Sequence, residues 1–128
     1  MSINNAVNQH ELPLPTNGSA DNNTPATNTN AVITLAAPGA GKVNVLSGVA
    51  WSYSAAPTGG RLKLEDVSGT IVFDIDITSA GPGFIPFVPP KKNAAANTAF
   101  IITLYAGGAG IQGKVNVLGA WTESSTGV

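Results

Sequence analysis

The chain has 128 residues, enough for one hydrophobic core; 43% are hydrophobic, only 10% are charged, and the net charge is −1. Six scattered Lys and Arg make no basic groove, which excludes a nucleic-acid partner on charge. The absence of cysteine excludes disulfides, zinc–thiolate sites and thiol catalysis, and no apolar run approaches the roughly 18 residues of a membrane span.

Gly, Ala, Asn, Thr and Ser replace the missing charge, and they suit short strands and tight turns better than helices. The start, MSINNAVNQHE, lacks the basic and apolar stretches of a secretory signal, so a soluble product made in a cytoplasm is expected. Residues 1–30 are rich in Asn, Thr, Ser and Pro, and after Leu12, Pro13, Leu14 and Pro15 they contain almost nothing large and apolar. Such a segment buries too little surface to offset its ordering entropy. It is expected to be an extended N-terminal arm that orders against a neighbouring molecule, with Leu12 to Pro15 as contact residues. The single histidine, His10, lies in this arm, so no rigid hydrolase triad can be built on it.

From residue 31 to 128 the pattern is that of one β-sandwich domain. Ala31 to Ala36 reads as a strand stopped by Pro38-Gly39. Lys42 to Ser54 alternates through Val43 and Val45, breaks step at Ser47-Gly48, and alternates again through Val49, Trp51 and Tyr53; a glycine in such a pattern marks a bulge or bend. Pro57 to Gly60 is a turn, and Leu62 and Leu64 alternate after it. Between Thr70 and Thr78, Ile71, Phe73, Ile75 and Ile77 point one way, Asp74 and Asp76 the other. Ala99 to Ala106 and Lys114 to Trp121 give two more strands. Seven or eight short strands at this spacing imply an all-β sandwich, jelly-roll-like.

Gly41-Lys42-Val43-Asn44-Val45-Leu46 recurs as Gly113-Lys114-Val115-Asn116-Val117-Leu118, and each copy runs on to a tryptophan, Trp51 or Trp121. The preceding strands match as well (AVITLAAPGAG, AFIITLYAGGAG). The repeat predicts two equivalent hairpins, one per half of the sandwich.

Two chemical motifs reduce to plain structure. Pro38-Gly39-Ala40-Gly41-Lys42 has the look of a phosphate loop but lacks the first glycine, the Ser or Thr after lysine and the following helix, so it reads as a turn. Asp74 and Asp76 could hold calcium or serve a glycosidase, but a half-buried strand needs a polar face anyway, and a solvated face is the expectation.

Gly81 to Lys92 (GPGFIPFVPPKK) is read as non-strand, since Pro82, Pro86, Pro89 and Pro90 remove backbone donors. A proline-stiffened apolar stretch loses little entropy on docking. Phe84, Ile85, Phe87, Val88, Lys91 and Lys92 are therefore candidate contact residues; the other reading, equally open, has Phe84 and Phe87 closing one end of the core.

SYSAAPTGG (Ser52 to Gly60), AGPGFIPF (Ala80 to Phe87) and GGAG…GKVNVLGAW (Gly107 to Trp121) resemble small structural proteins encoded among the virion genes of tailed bacteriophages, over about Asn30 to Trp121. The resemblance implies a capsid cement, or decoration, protein: a sandwich or jelly roll, usually a homotrimer, seated on the virion's outer shell and clamping the major capsid protein. It implies no catalytic residue, metal or cofactor. The competing reading is a receptor- or glycan-binding module of a phage tail or fibre, with Trp51, Tyr53 and Trp121 as a sugar platform, although their alternation with Val and Ala favours core packing.

Overall fold

The computed structural model describes residues 22–126. Leu12, Pro13, Leu14 and Pro15 lie outside that range. The chain runs through β1 (Asn22–Asn23), β2 (Ala31–Leu35), β3 (Lys42–Tyr53), β4 (Gly60–Asp66), β5 (Ile71–Ile77), β6 (Gly81–Lys92), β7 (Phe100–Leu104) and β8 (Gly113–Ser124). They form two four-stranded antiparallel sheets, ordered β1-β8-β3-β6 and β2-β7-β4-β5. Only β4 and β5 are consecutive within one sheet; every other connection crosses between sheets. That winding is a jelly roll, as the strand spacing predicted.

The alternating segments form strands because one face of each is apolar. Ile33 and Leu35, Leu62 and Leu64, Ile102 and Leu104 fill the sandwich from one sheet, Leu46, Val49, Tyr53, Val115 and Ala120 from the other. Tyr53 is buried, and its hydroxyl donates to the Tyr105 carbonyl at 2.6 Å, so its polar end is satisfied. One end is tied by a polar cluster: the Asn44 side chain donates to the carbonyls of Leu35, Ala36 and Thr98 at 3.2, 3.0 and 3.0 Å. Asn93 donates to Asp66 at 2.7 Å.

Three expectations change. Gly81 to Lys92 is a strand, β6, at the edge of its sheet against β3. An edge strand needs donors on one side only, which is where proline is tolerated. Residues 87–90 of β6 bulge out opposite Ser47, since Leu46 faces Lys91 while Gly48 faces Pro86. Residues 22–30, read as arm, are tied to the sandwich: Asn22 and Asn23 pair with Asn116 and Val115, Asn28 N–H donates to the Ile111 carbonyl at 2.8 Å, and Gln112 Nε2 donates to the Pro25 carbonyl at 2.8 Å.

Finally, the two repeats are not hairpins. Each crosses from one sheet to the other, and the copies pair with each other, β2 with β7 and β3 with β8. Ile33 lies opposite its counterpart Ile102, and Val45–Trp121 and Val49–Val117 are equivalent pairs about the register shift at Ser47–Gly48. Gly48 is required there, because a Cβ would sit 2.7 Å from the Ile85 carbonyl oxygen.

Candidate functional site: an apolar outer sheet face

β6, β3 and β8 carry their outward residues onto one face. On β6 the outward positions include Phe84, 67% exposed; on β8, Leu118 is 52% exposed. Ala50 of β3 lies across from Phe84 on one side and Asn116 on the other. Ala50, Pro82, Gly83, Phe84 and Leu118 line an open depression of about 600 Å³, with small residues as floor and Phe84 and Leu118 as walls. At the bulge Val88 is 87% exposed.

The candidate contact residues of β6 therefore divide by strand phase. Phe84 and Val88 stand in solvent. Ile85 and Phe87 turn inward, Phe87 meeting Phe73 edge to face with centroids 5.2 Å apart, so they close the β5–β6 side of the core. The Lys91 ammonium lies 5.8 Å from the centre of the Phe87 ring. Lys92 pairs with Glu123 at 2.8 Å, and Trp121 Nε1 donates to the other Glu123 oxygen at 2.8 Å. Lys92 first, then Trp121, hold the Glu123 carboxyl below its ordinary range. Leu118 and Ala50 were not singled out in the sequence; the only available signal was Leu118 closing a repeat, and that says nothing about its face.

The other named residues take structural places. Arg61 grips Asp74 through Nε at 2.7 Å and Nη2 at 2.6 Å, and this pairing lowers the Asp74 pKa. The Arg61 and Lys63 cations lie 5.0 and 5.4 Å from the Tyr105 ring centre. Glu65 accepts from the Gly69 N–H at 2.7 Å and meets Lys63 at 3.1 Å, which lowers its pKa in that order of cause. Trp51, Tyr53 and Trp121 do not share a face: Tyr53 is in the core, Trp51 packs against it, and Trp121 stands outward opposite Val45.

No family model matches the chain, and no curated protein matches it. Several solved structures are similar to it. A CBM36 carbohydrate-binding module in complex with calcium and xylotriose shares 13% identity at a TM-score of 0.40, over 85% of this chain and 93% of that one. The virus-like particle of the extra small virus of the giant freshwater prawn Macrobrachium rosenbergii gives 15% and 0.35, over 79% and 74%. The CBM36-1 domain of a multidomain xylanase from the hindgut metagenome of Trinervitermes trinervoides gives 12% and 0.40, over 90% and 93%.

Proposed function

We propose that the protein is a structural virion component, a cement (decoration) protein that sits as a homotrimer on the capsid surface of a tailed bacteriophage and binds the major capsid protein. One observation carries the reading: a sheet face presents Phe84 and Leu118 to solvent as the walls of an apolar depression. Side chains of that size grouped on one face mark a contact surface. Prolines fix β6 in advance, so little freedom is lost on docking, and weak contacts repeated over a lattice hold by avidity. The role asks for surface complementarity, with no reaction to perform.

Quantitative mass spectrometry of purified particles tests this. A copy number comparable to that of the major capsid protein supports a cement protein. A handful of copies per particle would transfer the protein to the tail or fibre, as a receptor- or glycan-binding module, and absence from particles would overturn both. Phe84→Ser with Leu118→Ser should empty the particles of the protein while its circular dichroism stays unchanged.

A further inference from the structure

The side of the sandwich bounded by β5 and β6 carries a second surface, which adjoins the Phe84–Leu118 face at Pro82 and Gly83. β5 pairs only with β4, and among the described residues its other edge makes no backbone hydrogen bond. Alternate residues of IVFDIDI thus keep N–H and C=O groups that a further strand could satisfy. The neighbouring edge strand, β6, is closed to strand addition by Pro82, Pro86, Pro89 and Pro90.

Two depressions lie where the inner faces of β5 and β6 meet. One, of about 430 Å³, is lined by Phe73 of β5 and by residues 85–92 of β6, the bulge included. The second, of about 260 Å³, is lined by Trp51, Ile75, Ile77 and Gly83 among others. Phe73, Ile75 and Ile77 are alternate residues, so β5 meets the first depression at Phe73 and the second at Ile75 and Ile77 from one face of the strand. An added strand would turn every second side chain towards them, the mode in which backbone bonding gives affinity and pockets give selectivity.

The outer face of β5 sets the charge. Arg61 gives its hydrogen bonds to Asp74, whereas Asp76, which lies directly across from Arg61 and within reach of its charge, makes no salt bridge of its own among the described residues, so on the open side of β5 its carboxylate is unmatched. A residue directly across from Asp76 is favoured if basic and disfavoured if acidic. We propose that the free edge of β5 accepts, by strand addition, an extended segment of another protein with apolar residues at alternate positions and basic residues between them. The chain's own N-terminal stretch does not fit, having no Lys or Arg before Lys42. A second copy fits poorly too, because its β5 carries Asp74 and Asp76, and no basic residue, at the positions between its apolar ones. This goes beyond the proposed function, and particle copy number does not bear on it, so either can fail alone.

The test titrates the isotope-labelled full chain with a capped heptapeptide of alternating valine and lysine, followed by backbone amide shifts. Shifts confined to β5 and the facing part of β6 are expected. Asp76→Lys should weaken that peptide about tenfold, and an alternating valine–glutamate peptide should show the reverse preference, tighter on Asp76→Lys than on the unchanged chain. Asp76 is exposed, so the variant leaves the core intact. Shifts centred on Ala50, Phe84 and Leu118, or running along β8, would overturn the proposal. So would equal binding of both peptides, no binding at millimolar concentration, or self-association through β5 in place of peptide uptake.

Discussion

Gly41–Leu46 and Gly113–Leu118 are the same six residues, yet the fold turns them over. In β3, Asn44 and Leu46 face the core; in β8, Val115 and Val117 face it, and Asn116 and Leu118 face solvent. Leu46 is fully buried while Leu118 is 52% exposed. The cause lies outside the hexapeptide. Gly113 is seated against Tyr53 and Leu104, where a Cβ would come within 3.2 and 3.0 Å, and that fixes the phase of β8. Gly41 has nothing within 4 Å, and Asn44 instead sets the phase of β3 by bonding three carbonyls of the opposite side. With a side-chain period of two, a one-residue difference in phase inverts every position. The apolar wall at Leu118 is therefore a product of context.

Paired substitutions break the comparison most sharply at the leucines. Leu46→Ala should cost about 2–5 kcal/mol in urea unfolding, the range for a fully buried leucine that leaves a cavity. Leu118→Ala should stay within about 0.5 kcal/mol, as exposed positions do. Equal losses would mean that the two copies share a face after all.

The asparagines come next. Asn44→Ala strips the donor from three carbonyls at the buried end of the sandwich, and the expected loss is about 1–3 kcal/mol. Asn116→Ala removes an exposed side chain and should leave the unfolding midpoint where it was. The tryptophans extend the contrast by a similar amount. A Cβ on Gly83 would lie 2.5 Å from the Trp51 ring, so Gly83→Ala should cost about 1–3 kcal/mol by overpacking and shift the indole fluorescence. Trp121, on the outward face, should not respond.

These contrasts show what the sequence could and could not reveal. β2, β5 and β7 were legible to within two residues, and β4 by its alternating Leu62 and Leu64, because each is a single uninterrupted run rich in Ile, Leu or Val between turn signals. β6 was hidden by its prolines, which argue against a central strand but are compatible with an edge; edge position is a tertiary fact. The exposure of Phe84 and the inward turn of Phe87 were equally open in sequence, since both follow a proline or glycine and either could cap the core. Leu118 was hidden most deeply, since its local sequence is identical to that of a buried leucine.

The smallest effect tests the outward face of the second copy. Glu123 joins β8 to β6 through Lys92 and fixes Trp121 on the outer surface. Its folded-state pKa lies below the ordinary glutamate value, so its contribution is complete above that value and disappears as pH falls through the lowered one. Glu123→Gln removes the charge at all pH values but can still accept a hydrogen bond from Trp121. It should cost about 0.5 kcal/mol at neutral pH, as partly exposed ion pairs do. The two proteins' unfolding midpoints should then converge as the solution is acidified, and more salt should narrow the neutral gap without moving the acid end. In β3 the residue two places after the tryptophan is Tyr53, whose hydroxyl is satisfied by a carbonyl inside the sandwich. Tyr53→Phe should therefore show a loss that stays constant across the same acid range, separating the inward copy from the outward one by pH dependence alone.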